Sequence, residues 1–327
     1  MDKVGVAVIG CGAWGRNHLR VLSEIPRAKL IAASDINPEV LKIVEKKYNI
    51  QVYTDYNEML KDKSIEAVTI CTPSITHAKI SLDVIKSGKN LLVEKPIAIN
   101  IDEGKKILDL AKQVDIKLMV GHIERYNPAV QRVKKSVEKR DIGDIILLSS
   151  RRVSRWPERI GDVGVIRDLA IHDLDLMRYI TNLEPTEIYA VAGSVKHKYE
   201  DHANIILKFN FNPTAIIEAN WITPKKVREL IVTGSEGRII IDYITQETRV
   251  EKHEGVYIPN IQYEEPLKRE LENFINVVTG FEEPLVTGLD GLIAVYLCEL
   301  ALISANTGQP MKVEVSKIYE GSGTSCW

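Results

Sequence analysis

The sequence predicts an α/β protein of two domains: a doubly wound parallel sheet first, then an α/β domain built on a large open, mostly antiparallel sheet. Three observations carry that expectation. Up to about residue 121, short apolar runs alternate with helical stretches. After Gly121 the alternation stops. From 187 to about 253 the segments are long, β-rich and divided by turn signals at Asn212-Pro213, Thr223-Pro224 and Gly234-Ser235-Glu236-Gly237. A chain of 327 residues fits two domains, expected here at 1–122 and 123–327.

In the first domain, strands are expected at 4–9, 29–34, 51–53, 66–71, 90–93 and 117–120. Helices are expected at 13–24, 38–47, 56–61, 75–87 and 102–114. The strand segments are continuous apolar runs rather than alternations, as suits a parallel sheet covered by helices on both faces. In the second domain a helix at 128–139, a strand at 145–153 and a helix at 168–181 precede the β-rich stretch. Helices at 266–279 and 290–306 close the chain. Residues 320–327 lack periodicity and read as a loose tail.

Composition narrows the function classes. Hydrophobic content of 45%, charged content of 27% and a net charge of −2 are those of an ordinary globular protein and give no support to broad nucleic-acid binding. No apolar run is expected to reach membrane-spanning length, and the chain enters a strand almost at once, so no membrane partner is expected and the cytoplasm is the default. Cys11, Cys71, Cys298 and Cys326 show no metal-ligand spacing, so no metal is expected.

The chemistry begins where the first strand breaks into Gly10-x-Gly12-x-x-Gly15 and continues as a helix. Gly10 permits the tight bend, Gly12 lets a pyrophosphate approach the backbone, and Gly15 lets the helix pack against the strand. Ala13 and Trp14 sit in the same turn, where the helix start presents N–H groups to an anion. Asp35 ends the second strand, twenty residues after Gly15, where a carboxylate can accept from both ribose hydroxyls. No arginine follows in Ile36-Asn37-Pro38 to neutralise a 2′-phosphate, so NAD is favoured over NADP. Asn37 is the better-placed helix cap, which frees Asp35 for the ribose.

Two further turns follow strands. Thr72-Pro73-Ser74-Ile75-Thr76-His77 offers hydroxyl and N–H groups that could hold the nicotinamide ribose, or it is a simple helix cap supplied by Ser74. Glu94-Lys95-Pro96 puts a lysine at a strand end, and Pro96 restricts Lys95 to an extended backbone that can aim its side chain. Further on, Asp168 and His172 are four apart on an expected helix, so they share one face. A carboxylate can orient and charge-stabilise an imidazole that takes a proton, although the spacing alone is also common helix decoration.

Taken in order, Gly10-x-Gly12-x-x-Gly15, Thr72-Pro73…His77, Glu94-Lys95-Pro96 and Gly164-x-x-x-Asp168-x-x-x-His172-Asp173 resemble the Gfo/Idh/MocA oxidoreductase family over nearly the whole chain. The resemblance implies a Rossmann domain followed by an α/β domain whose open sheet supports substrate binding or oligomerisation, as a homodimer or homotetramer. It implies reversible oxidation of a sugar-type secondary alcohol by a bound nicotinamide cofactor, with Lys95, Asp168 and His172 as the catalytic set. It also implies a cis Lys95–Pro96 bond. Thr72, Pro73, His77 and Glu94 fall to the cofactor side of such a site.

A narrower resemblance, in 121–130 with Arg125 and Tyr126 and in 168–179, is to the branch acting on UDP-N-acetylglucosamine at C3. Arg151, Arg152, Arg155, Arg159 and Arg167, with Trp156 among them, precede or open the Asp168 helix. Arginine forks suit a diphosphate and an aromatic ring suits a uracil, whereas a neutral polyol needs neither. The same cluster could equally be a solvated basic face. The expectation is therefore an NAD-dependent nucleotide-sugar dehydrogenase with Arg125, Tyr126, Arg152, Arg155, Trp156, Lys95 and His172 around the substrate. The alternatives are dehydrogenases of the corresponding UDP-uronic acid or of inositol, and a cofactor-sensing regulator on the same fold.

Overall fold

The computed structural model describes residues 3–156, 162–211 and 213–319. Arg159, Asn212 and the stretch 320–327, each used in the sequence reading, lie outside the described residues.

The chain packs as two compact units. The first comprises residues 1–123 and 265–292, the second 124–264 and 293–327. A single cut at 122/123 therefore misassigns 265–292, which return to the first unit after the second has begun. The reason lies in packing: the apolar stripe of the helix Pro266–Val278, at Leu267, Leu271, Phe274 and Ile275, is buried there, against the first helix of the chain.

In the first unit, strands and helices alternate as β1 Val4–Ile9, α1 Ala13–Glu24, β2 Ala28–Ser34, α2 Pro38–Tyr48, β3 Gln51–Tyr53, α3 Tyr56–Leu60, β4 Ala67–Ile70, α4 His77–Lys86, β5 Asn90–Glu94, α5 Ile101–Val114 and β6 Leu118–Gly121. The six strands form a parallel sheet in the order β3-β2-β1-β4-β5-β6. The order reverses between β1 and β4, and that switch point opens a crevice beyond the carboxyl ends of the strands. Every residue of β1 and β4 is buried, which accounts for their unbroken apolar runs.

The second unit starts with α6 Pro128–Glu138, β7 Ile145–Arg155, a π-helical turn Ile166–Ala170 and α7 Ile171–Thr181. Then come β8 Pro185–Gly193, β9 His202–Phe209, β10 Thr214–Asn220, β11 Ile222–Gly234, β12 Gly237–Asp242, β13 Thr248–Lys252 and β14 Gly255–Tyr257. After α8 (Pro266–Val278), α9 Gly288–Thr307 leads from one unit into the other, followed by β15 Met311–Lys312 and α10 Ser316–Tyr319. The sheet has nine strands in the order β14-β13-β12-β11-β7-β10-β9-β8-β15, and its one parallel neighbour pair is β7 with β10. Strand alternation is clean: in β9, Ala203, Ile205 and Leu207 are buried while Asn204, Ile206 and Lys208 face out.

Helix α9 corrects one expectation. At 20 residues it is long and apolar enough, by length and composition, to cross a membrane. Its most apolar window is 61% buried within the protein, as in a helix that packs into a core.

Candidate active site

The dinucleotide turn of the first unit is made by backbone. At Gly10, φ is +91°, and a Cβ would lie 2.8 Å from the Cys71 carbonyl. At Gly15 a Cβ would lie 1.8 Å from the Gly10 carbonyl oxygen. Both glycines are thus demanded by the chain's own packing. Gly12 differs: a Cβ there would meet nothing within 4 Å. It is the N-cap of α1 and offers no side-chain cap, so the helix starts at Ala13 and Trp14 with its dipole end bare. Open space over a bare helix start suits a pyrophosphate.

Asp35 lies one residue past β2. Its Oδ2 accepts from the Cys11 N–H at 2.7 Å and its Oδ1 from the Asn37 N–H at 2.9 Å. These bonds orient the carboxylate and leave lone pairs for ribose hydroxyls. Asn37 caps α2 by accepting from the Glu39 N–H. Beside Asp35, burial and the carboxylate charge push the Cys11 thiol up to about 12, so it stays protonated. The residues present fit a dinucleotide: an unfilled backbone cradle and a pinned carboxylate at the end of β2.

Other expected cofactor residues turn inward. His77 is fully buried, with Nδ1 2.7 Å from the Pro96 carbonyl oxygen and Nε2 2.9 Å from that of Thr72. Burial holds its pKa below the usual histidine range, so a neutral ring donates its single proton to one of the two carbonyls. His77 ties the Thr72-Pro73 turn to the Lys95–Pro96 step rather than presenting itself to a ligand. That step is cis, in line with the sequence expectation. Glu94 is 7% exposed, and its Oε1 accepts from Trp14 Nε1–H at 2.6 Å and lies 3.0 Å from His18 Nε2. Glu94 is therefore a buried acceptor for α1, not an open contact to the cofactor.

In the second unit the Asp168 region departs from the expected continuous α-helix. Residues 166–170 form a π-helical turn, and α7 proper begins at Ile171. In a π turn the repeat is i→i+5, so Asp168 no longer stands one ideal α turn from His172, and the expected shared face does not follow from spacing. The Ile166 N–H donates to Glu200 Oε1 at 3.1 Å, and a Cβ on Gly164 would lie 2.1 Å from the Glu200 carboxylate. The loop before β9 thus fixes the start of this turn. Widened turns of this kind cluster at functional sites because they re-aim side chains.

Beneath it runs a buried ionic network. Arg152, 3% exposed, donates from Nε to Asp173 Oδ2 at 2.8 Å, from Nη2 to Asp173 Oδ1 at 3.2 Å and from Nη1 to Glu124 Oε1 at 2.8 Å. Its guanidinium lies over the Tyr243 ring, 4.7 Å from the centroid, and Tyr243 Oη donates to Asp173 at 3.0 Å. Arg228, beside it, is pushed down to about 10 by burial and by the Arg152 charge. Arg125 is buried too, bidentate to Asp175 at 2.8 and 2.6 Å and 4.9 Å from the Tyr179 centroid, and Tyr126 is 4% exposed.

The expected arginine cluster therefore splits. Successive side chains on β7 point to opposite faces. Arg152 turns inward and its forks are spent on Asp173 and Glu124. Arg151 turns outward and pairs with Glu218 at 2.8 Å. Arg155, exposed, donates from Nε to the Pro224 carbonyl at 2.8 Å. Next to it Trp156 packs on His197 at 4.1 Å between centroids and edge-on to Trp221 at 4.8 Å. As substrate contacts, Arg125, Tyr126 and Arg152 give way to scaffold roles, because their polar or apolar surface is already buried; Arg155 and Trp156 keep accessible surface.

Sequence reasoning quoted Asp173 without a role and missed Glu124, Asp175 and Tyr243, because the pairing of all four is long-range. It also missed His18 and Glu270. Glu270 was open to detection: at 267, 270, 271 and 274 it sits on the apolar stripe of α8, where a carboxylate is out of place.

A family model described as "Oxidoreductase family, NAD-binding Rossmann fold" matches residues 4–122, and the Gfo/Idh/MocA C-terminal domain model matches 130–240. The chain is 29% identical to myo-inositol 2-dehydrogenase of Thermotoga maritima over 94% of its length and 98% of that protein's. It is 25% identical to UDP-N-acetylglucosamine 3-dehydrogenase of Acidithiobacillus ferrooxidans over 89% of its length and 94% of that protein's. Among solved structures, an Agrobacterium radiobacter oxidoreductase in complex with NAD+, L-tartaric acid and magnesium shares the fold, with a TM-score of 0.88 at 23% identity over 97% of this chain and 99% of that one. The chain belongs to the Gfo/Idh/MocA oxidoreductase family and is an NAD-binding oxidoreductase.

Proposed function

We propose that this family member oxidises a secondary hydroxyl of a sugar nucleotide, UDP-N-acetylglucosamine at C3, to the 3-keto sugar. The observation that supports the oxidoreductase chemistry is the glycine turn whose Gly12 faces open space, with the Asp35 carboxylate pinned at the end of β2. His172 takes the hydroxyl proton. Asp168, at 7% exposure, supplies the carboxylate that stabilises the imidazolium. Lys95 stabilises the alkoxide charge that develops on the same oxygen. NAD, when bound, accepts the hydride.

The nucleotide reading rests on the 25% identical UDP-N-acetylglucosamine enzyme and on Arg155 beside the Trp156–His197 ring stack, which offer a charged fork and an aromatic face in sequence. A second reading, oxidation of inositol, is favoured by the 29% identical inositol enzyme and by the withdrawal of Arg152 and Arg125 into buried pairs. NADH production separates them. UDP-N-acetylglucosamine, its uronic acid, free N-acetylglucosamine and inositol are offered in parallel. The free sugar should turn over poorly, since it lacks the remote groups whose binding positions C3. Best turnover of inositol overturns the nucleotide reading; best turnover of the uronic acid keeps the class and replaces the substrate.

The open face of the second unit's sheet supports a homo-oligomer. Tyr189, Ile206, Ile216, Ile231 and Ile240 lie in one register row across six strands, the sixth position being Ser149 of β7, and Ile206 and Ile216 are 43% and 39% exposed. Two copies of this row back to back bury it isologously. Ile216→Asp should shift the sedimentation coefficient to that of a monomer. The reliance on a diffusible nicotinamide cofactor points to the cytoplasm as the working compartment.

A further inference from the structure

Inside the first unit, a cluster of ionisable groups lies between the glycine turn and the strand end that leads into Lys95. Trp14 and His18 are four apart on α1, one turn from each other, and both address the Glu94 carboxylate, at 2.6 and 3.0 Å. His18 is fully buried. Trp14 is 38% exposed, so its indole has one edge in the interior on Glu94 and another at the surface by the turn. Gly121 at the end of β6 makes room for the carboxylate: a Cβ there would lie 2.9 Å from it. Glu270 comes from α8, 0% exposed, with neither carboxyl oxygen hydrogen-bonded among the described residues.

We propose that Trp14 and His18 are positioning residues for the catalytic lysine: through Glu94 they fix the end of β5 and keep one negative charge next to Lys95. The proposal rests on the catalytic reading of Lys95 and extends it to α1, which that reading leaves as cofactor scaffold only. The groups around Glu94 are Trp14 and His18 from α1, Lys95 beside it, His77 from α4, Cys71 after β4 and Glu270 from α8. Burial opposes ionisation of Glu94, but the His18 and Trp14 donors and the Lys95 charge outweigh it and hold its pKa below the usual carboxylate range. Glu270 has no such donors. Burial and the Glu94 charge hold it well above that range, so it keeps its proton. α1 thus supplies the two donors that favour the charged form of Glu94, and Glu270 has neither. The same helix opens the cofactor cradle, so the turn that receives the pyrophosphate and the strand end that leads into the lysine are tied by two hydrogen bonds.

The sign of the pH effect follows. Removing a donor raises the Glu94 pKa, so Glu94 takes up a proton at a higher pH and activity on the acid side is lost sooner. The test uses Trp14→Phe, which keeps the ring and removes the N–H, His18→Leu, and His18→Gln, which keeps a donor. In the cofactor-free protein, the fluorescence difference between the wild type and Trp14→Phe isolates Trp14. It should change in one acid step as Glu94 is protonated. That step should move to higher pH in His18→Leu and return in His18→Gln. At saturating cofactor, Trp14→Phe and His18→Leu should each lower kcat by about tenfold, the worth of one hydrogen bond to a charged group, with a much smaller change in the KM for NAD. An unmoved fluorescence step and acid limb in His18→Leu, or a KM for NAD that rises while kcat holds, overturns the proposal and leaves the Lys95 reading standing. Turnover that survives Lys95→Ala overturns the catalytic reading itself, whatever the α1 variants do.

Discussion

The glycine turn of the first unit and the Arg152 network of the second solve opposite problems. The turn has to leave something out. Gly10 and Gly15 are small because backbone fills their space, and Gly12 is small over empty space. The network has to put something in: a guanidinium at 3% exposure with two carboxylates and a tyrosine around it. The turn works by backbone shape, supplied at Gly15 by the nearby Gly10 carbonyl and at Gly10 by the carbonyl of Cys71 after β4. The network holds charge in the interior with partners 21, 28 and 70 or more residues away. A backbone device tolerates little change of shape, and a buried ionic one tolerates little change of charge. The two regions should therefore fail differently when cut.

The largest effect is expected in the network. Arg152→Ala leaves Asp173 and Glu124 facing each other without their cation, and should destabilise the fold by about 3–5 kcal/mol in denaturant unfolding. Arg151→Ala, one residue away on the open face with a half-exposed pair, should change stability by about 0–1 kcal/mol. Equal effects at the two positions would break the contrast between buried and surface arginines.

Next come the reacting groups, which should lower turnover without lowering stability. Lys95→Ala and His172→Ala should each reduce kcat about a hundredfold or more, with the thermal unfolding midpoint within a degree or two of the parent. Near-normal turnover in either variant removes that residue from the mechanism.

The smallest effects are expected at Gly12 and Asp35, where only ligand contacts are lost. Gly12→Ala has room for its methyl in the free protein, so folding should be unchanged while NAD binds about tenfold more weakly by calorimetry. Gly15→Ala, with its methyl directed at the Gly10 carbonyl, should instead disturb folding. Asp35→Ala should narrow the preference for NAD over NADP, because the carboxylate that repels a 2′-phosphate is gone. Tighter binding of NADP than NAD by the natural protein would overturn the cofactor argument.

The sequence by itself determined what depends on neighbours along the chain. The period of apolar runs specified the parallel sheet, and the glycine spacing with Asp35 specified the dinucleotide turn. Asn37 was recognisable as the cap of α2 because a cap acts two residues ahead. The cis Lys95–Pro96 step was implied by the family resemblance rather than by its neighbours, and the step is cis. The tertiary structure decided what depends on residues far apart. Arg151 and Arg152 read alike, and only the covered face of the nine-stranded sheet sends one to solvent and the other to Asp173. Asp168 and His172 suggested one α-helical face, whereas residues 166–170 form a π turn whose first N–H is held by Glu200, 34 residues away. Residues 265–292 follow the second unit in sequence, yet the apolar stripe of α8 is buried in the first. Short-range hydrogen bonds and periodicity are written into adjacent residues. Burial is a property of what the rest of the chain brings alongside, and it decides whether an arginine, a glutamate or a histidine meets a ligand or a neighbour.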